Sequence, residues 1–275
     1  MTSRTGKLDF TAVGWRSVEW TALCTLYLRA CESRLCDPML GDHFAAEAVE
    51  RIDYDWHRMH RAALPWTTQF RVALRARHFD AWTTDFVSRH PDAVVLHLGC
   101  GLDSRALRVA PPPEVQWFDV DVPELIALRR RLCDGTDGYR MIGARVIDPG
   151  WLDEVPAEHP TLMVAEGLLP YLTEAEIRQL LERITDRFGS GEVIFDVLSQ
   201  WGPRTSKLIK SGVRDRREIE RWNPRLRCLE STSAMSGYER IPLTPQRLVF
   251  RSLYRLPMVR DSHRLYRFSV NRANG

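Results

Sequence analysis

Between Pro91 and Leu198 the chain alternates short apolar runs with segments of helical period, and no other feature restricts its fold so strongly. The first run, residues 93–98, is too short for a helix and is bounded by Gly99 and Gly101, which predicts a strand buried on both faces. A short helix at 104–109, a strand at 115–120, a helix at 123–133 opened by proline and a strand near 139–144 follow. Residues 161–165 read as another buried strand. Thr173 to about Phe188 reads as a helix, with Thr173 and Glu176 forming a capping box and Ile177, Leu180, Leu181 and Ile184 facing the sheet. Residues 191–198 close the series. Such repetition implies an α/β fold, a doubly wound and mostly parallel sheet that takes its ligand at the carboxyl ends of the strands. Two later segments, 226–232 and 265–270, are expected to add an antiparallel edge pair.

Ahead of this core, residues 17–35 place Trp20, Leu23, Cys24, Tyr27, Leu28 and Cys31 at helical spacing before Asp37-Pro38 stops them, and 66–89 form a second helix. The expected organisation is a helical cap, residues 1–90, on a core, 91–275, whose C-terminal part faces substrate. At 275 residues, 44% hydrophobic and 27% charged, the chain is that of a folded globular protein. Its only lysines are Lys7, Lys207 and Lys210. The many arginines interleave with acids to a net charge of +3, so no nucleic-acid partner is expected. The longest uncharged stretch, 93–102, is ten residues, against roughly 20 for a membrane span, so no membrane partner is expected either. Arg4, Lys7 and Asp9 precede no apolar core of a secretory signal, and six cysteines include no C-x-x-C pair. A cytoplasmic protein with reduced thiols and no metal is the expectation, and no sequence feature sets an oligomeric state.

The first strand runs into His97-Leu98-Gly99-Cys100-Gly101-Leu102-Asp103, where two glycines let the backbone pass close under a ligand; a tight strand-to-helix turn needs them equally. A dinucleotide fingerprint wants a third glycine where Ser104 stands, which disfavours a nicotinamide oxidoreductase. Asp119 and Asp121 end the second strand. Asp121 lies twenty residues after Gly101, where an acid accepts both ribose hydroxyls of an adenosine, and one of the two acids is expected to cap the helix at Pro123. Glu166 ends the fourth strand in an apolar stretch, where it needs a polar ligand or an arginine as partner.

The string Val94-Val95-Leu96-His97-Leu98-Gly99-Cys100-Gly101-Leu102-Asp103-Ser104-Arg105, then Phe118-Asp119-Val120-Asp121-Val122-Pro123-Glu124 and Glu166-Gly167-Leu168-Leu169-Pro170-Tyr171-Leu172, resembles the leucine carboxyl methyltransferase family, and within it the bacterial polyketide branch. Thr21-Ala22-Leu23, Arg29-Ala30, Asp37-Pro38 and Gly41-Asp42 share that likeness. The resemblance implies a class I methyltransferase fold and S-adenosylmethionine (SAM) as cofactor. It implies that Gly99 and Gly101 pass under the cofactor's amino-acid end, that Asp121 holds the ribose with Asp119 alongside, and that Glu166 lies near the methionine part. Arg75 matches the arginine that pairs with the cofactor's carboxylate, with Arg77 the lesser choice. Arg145 replaces an aspartate near the adenine, leaving that contact to the region of Val146 or Asp148, and Pro170 replaces the usual methionine or valine before the tyrosine. His97 reads as a buried, satisfied histidine.

The expected activity is O-methylation of a small natural-product acceptor. A carboxylate, giving a methyl ester, is favoured because it is ionised at neutral pH and needs no base, whereas a phenol with a pKa of about 10 benefits from one. Tyr171 is the expected substrate-positioning hydroxyl, and residues 17–35 and 53–60 the expected lid. His43, His57, His60 and His263 are the possible bases for a hydroxyl acceptor, and Trp15, Trp20, Trp56 and Trp66 the aromatics that could stack on it, although core packing explains most of them. A SAM-binding protein without turnover is the rival outside enzymology.

Overall fold

A computed structural model describes residues 6–15, 17–133, 138–204 and 206–271; the outer ends of both expected domains lie outside these. In chain order the elements are β1 (Leu8–Asp9), α1 (Val18–Ser33), α2 (His43–Arg51), β2 (Ile52–Asp53), α3 (Trp56–Ala63), α4 (Pro65–Arg89), β3 (Val94–Leu98), α5 (Arg105–Val109), β4 (Gln116–Asp121), α6 (Pro123–Arg130) and β5 (Tyr139–Gly143). There follow β6 (Thr161–Ala165), α7 (Glu174–Arg187), β7 (Gly191–Leu198), α8 (Arg216–Trp222), β8 (Leu226–Ser233), α9 (Thr244–Tyr254), α10 (Pro257–Arg260) and β9 (His263–Val270). Ser17 caps α1 by accepting from the Trp20 N–H, and Thr173 and Glu176 make the full capping box on α7.

Seven strands form one sheet in the order β5-β4-β3-β6-β7-β9-β8. The first five are mutually parallel, while β9 runs antiparallel to both β7 and β8, so the last strand inserts inside the edge formed by β8. The chain builds outward from β3 through β4 to β5, then returns to lay β6 on the other side of β3. That reversal opens a crevice at the carboxyl ends of β3 and β6.

Period-two alternation assigns the two faces. Val94, Leu96 and Leu98 pack with Ile177, Leu181 and Ile184 of α7, whereas Val95 packs with Phe79, Trp82 and Phe86 of α4. α4, which the sequence placed in the cap, is thus a layer of the core. α1, α2 and α3 share a separate apolar cluster that meets the core at Leu102, in the turn after β3, and at Leu125 of α6. Among the described residues no helix is long and apolar enough to cross a membrane.

Candidate active site

At the crevice lies a cavity of about 490 Å³, walled by the carboxyl ends of β3, β4, β6 and β7, by α1 through Thr21, Ala22 and Thr25, and by the start of β9. Gly99 (φ +61°) and Gly101 (φ +51°) line its floor in the left-handed region. A Cβ on Gly99 would sit 2.9 Å from Leu168 Cδ1, and one on Gly101 would sit 3.3 Å from Ala22 Cβ. Close approach of the Leu168 loop and α1 therefore requires both glycines, and leaves bare backbone facing the cavity.

Asp121 lines the cavity. Its carboxylate accepts from the Gly101 N–H (2.8 Å) and the Val122 N–H (2.7 Å), tying the glycine turn to the end of β4, and burial pushes its pKa up. α6 begins at Pro123 without a side-chain cap, so neither aspartate plays the capping role. Asp119 does not reach the cavity. A strand rises about 3.3 Å per residue, and two residues back from Asp121 it lies within the sheet. There it accepts from His97 Nδ1 (3.1 Å), Trp117 Nε1 (2.8 Å) and the Tyr139 hydroxyl, and pairs with Arg129 at 2.5 Å. Burial opposes its charge, but Arg129 and His97 outweigh it and hold the carboxyl at about 2. The place beside Asp121 that the resemblance gives Asp119 is thus not where its side chain stands. His97 is buried and partnered as expected, with one edge on the cavity wall.

Glu166, at the end of β6, pairs with Arg75 Nε (2.9 Å) and with the fully buried Arg105, while still lining the cavity. Both the arginine partner and the cavity-facing position expected for it are present. Arg75 also reaches Asp196 of β7 (3.2 Å), whereas Arg77 donates to the Met39 carbonyl (2.7 Å) and lines no part of the cavity. Asp196 further accepts the Gly167 N–H (2.5 Å) and His263 Nε2 (2.6 Å). Arg105 joins this group to a second one, meeting Asp103 (2.9 Å) and Asp80 (3.2 Å). Arg108 pairs with Asp42, Asp80 and Asp103, and Arg29 with Asp42. A continuous, largely buried lattice of arginines and carboxylates thus runs from the cavity lining at Arg75, Glu166, Asp196, Asp103 and Arg29 back to Arg105, Arg108, Asp80 and Asp42 behind it.

Tyr171 lines the cavity, and burial raises its phenol, keeping it a hydrogen-bond donor. Arg145, Val146 and Ile147 form the wall near the end of β5, and Asp148 does not line it. Of the expected lid only α1 takes part. Trp56 stacks on Tyr27 behind it (centroids 5.4 Å apart), and His60 Nδ1 lies 2.8 Å from the Tyr27 hydroxyl. Trp15 packs on Trp20 and Tyr54, Trp66 points outward, and none of the four tryptophans faces the cavity. Sequence reasoning did not find Asp196 or Lys210, nor separate His263 from other histidines. Asp196 carried a signal, an acid inside the apolar strand Gly191–Leu198, of the kind that exposed Glu166.

The ionised acids set an acid limit. Asp119 and Asp196 are held at about 2, and Asp103 well below the usual carboxylate range, in each case because neighbouring arginines outweigh burial. Unfolded, these groups take up protons near pH 4, so their stabilisation is complete above about pH 5 and is lost as pH falls from there toward 2. About 2 kcal/mol is expected from each of Asp119 and Asp196. Asp121 and Glu32, pushed up by burial, act oppositely and offset part of it. Urea midpoints at pH 6 and pH 3 measure the effect; equal midpoints would refute it.

Residues 22–140 match the family model for leucine carboxyl methyltransferase. The chain is 42% identical over 264 residues, 92% of this chain and 96% of the relative, to the tetracenomycin polyketide synthesis O-methyltransferase TcmP of Streptomyces glaucescens. It is 36% identical, over 69% of each chain, to the S-adenosyl-L-methionine-dependent methyltransferase dpfgK of Gibberella zeae. Among solved structures, a candidate methyltransferase from Thermobifida fusca YX superposes with a TM-score of 0.56 at 16% identity, covering 91% of this chain and 94% of that one. A DUF574-family protein of Streptomyces avermitilis gives 0.55 at 14%, covering 91% and 97%. These two bear on the fold alone. A parallel sheet reversing at a glycine-floored crevice, an acid at the end of its second strand and a relative so similar over nearly its whole length lead to one assignment: the chain belongs to the leucine carboxyl methyltransferase family and is a SAM-dependent O-methyltransferase.

Proposed function

We propose that the enzyme methylates a carboxylate of a small natural-product acid, releasing the methyl ester. The carrying observation is the charge at the acceptor end of the cavity. Lys210 is tied by its backbone N–H to the Pro170 carbonyl (2.8 Å), next to Tyr171, and it and Arg145 bring two positive charges to the cavity lining, where the Glu176 carboxylate feels both. Glu176 nearby is committed to the α7 capping box. An anionic acid is attracted to such a wall, and the neutral ester loses that attraction. TcmP, by its name, serves polyketide synthesis, which supports a natural-product acceptor here.

The residues present suit SAM. Bare backbone at Gly99 and Gly101, Asp121 beside it and the opposed charges of Glu166 and Arg75 answer a ligand carrying a ribose diol, an ammonium and a carboxylate. When bound, SAM supplies a methyl group activated on a sulfonium. The protein's share is to position the acceptor, Tyr171 donating its hydroxyl hydrogen bond, and to keep water out between α1 and the sheet.

Mass spectrometry of aromatic acids incubated with SAM should show a gain of one methylene that mild alkali removes. The rate should stay flat from pH 6 upward, because a carboxyl with a pKa near 4 is already ionised. Tyr171→Phe should lower turnover about 10- to 150-fold, the worth of a hydrogen bond to a charged group, with SAM affinity unchanged. An alkali-stable product alone, or a rate climbing steeply through neutrality, would overturn the ester assignment.

A further inference from the structure

His263 is the first residue of β9 and lines the cavity, half-buried, as do Arg75, Glu166, Tyr171 and Lys210. Its Nε2 lies 2.6 Å from Asp196 Oδ2 on β7. The two residues sit on paired antiparallel strands, with His263 opposite Leu198 and Asp196 opposite Leu265, so the sheet register itself fixes their contact. Asp196 also holds Arg75 and the Gly167 N–H, and stays ionised at neutral pH because Arg75 and His263 outweigh burial. An ionised carboxylate only accepts, so Nε2 carries the hydrogen. Nδ1 is then the ring nitrogen with a lone pair, and among the described residues it has no hydrogen-bond partner.

A carboxylate acceptor has no proton to lose, so this arrangement is idle in ester formation. A carboxylate that fixes a histidine's tautomer while the other ring nitrogen stays free is the construction of a general base. We propose that His263 Nδ1 is a general base, and that it gives the enzyme a second class of acceptor, an aryl hydroxyl. The hydroxyl proton passes to Nδ1 as the oxygen forms its bond to the methyl carbon. The carbon–sulfur bond of SAM breaks with its electron pair going to sulfur, leaving S-adenosylhomocysteine and an aryl methyl ether. The imidazolium, its charge met by Asp196, then returns the proton to solvent. Positioned bases of this kind contribute about 10²- to 10⁴-fold.

The inference shares only the methyl donor with the ester proposal, and one probe separates them. A dihydroxynaphthoic acid carries a carboxyl and aryl hydroxyls; its ester is removed by mild alkali and its ether is not. The wild-type enzyme should form the ether, and His263→Gln should form it at least about 100-fold more slowly while binding S-adenosylhomocysteine with wild-type affinity, which shows that it is folded. Nitrogen-15 spectra of histidine-labelled wild-type enzyme at neutral pH should show His263 as the Nε2–H tautomer. No ether from the wild type, undiminished ether from His263→Gln, or an Nδ1–H tautomer would each overturn the proposal. Ether without ester would leave it standing and remove the ester assignment instead.

Discussion

Asp121→Ala should weaken SAM binding by about 10- to 150-fold, the 1.5–3 kcal/mol that hydrogen bonds to a charged group are worth. Its carboxylate is the acid at the end of β4 that reaches the cavity, and it already organises the floor by accepting from Gly101 and Val122. Substitution thus removes the acceptor proposed for the ribose and the tie that holds the glycine turn. Calorimetry with SAM measures the sum. Asp121→Asn, which keeps an acceptor oxygen for the turn, should recover part of the affinity. Unchanged binding in the alanine variant would take the ribose away from this residue.

Arg105→Met should cost about 3–5 kcal/mol of stability, the penalty for leaving buried charges uncompensated. Arg105 is fully buried and is the joint between Glu166 on one side and Asp80 and Asp103 on the other. The methionine leaves three carboxylates short of a partner. Lysine should not rescue them, because one compact ammonium cannot span three acceptors as a guanidinium does. Urea unfolding followed by tryptophan fluorescence reads the change. A loss below about 1 kcal/mol would mean that Arg75 and Arg108 carry the lattice without it.

The core was legible where local pattern decides structure. Residues 161–165 and 191–198 are strands over the predicted range, and Thr173 with Glu176 caps its helix as read, because apolar runs and caps are signals of neighbouring residues. α2 and α9 were not anticipated. α9 carries its apolar residues to a partner distant in sequence, placing Phe250 against Phe70 and Leu74 of α4. The same division runs through the site. Gly99, Gly101, Asp121 and Glu166 sit at strand ends that the alternation locates. Which way Asp119 works depended on its depth along β4, and the partnership of Asp196 with His263 depended on a strand pairing between residues 67 apart in sequence. The tryptophans follow the packing reading, since stacking around Tyr27 and Tyr54 accounts for three of them, and the alternative of stacking on an acceptor has no tryptophan in the cavity lining to carry it.

β9 leaves the ribosome after β8, yet it lies inside the sheet, between β7 and β8. A nascent chain that has emerged only through β7 holds the glycine floor, Asp121 and Glu166, while the wall bearing His263 is still unmade. β8 has no neighbour until β9 arrives, so a stretch of unpaired strand edge is presented during synthesis. Vectorial synthesis therefore completes the side of the cavity proposed for the cofactor first and the side proposed for the acceptor last. Slow codons placed between β8 and β9 should prolong the aggregation-prone interval more than the same codons placed between β4 and β5.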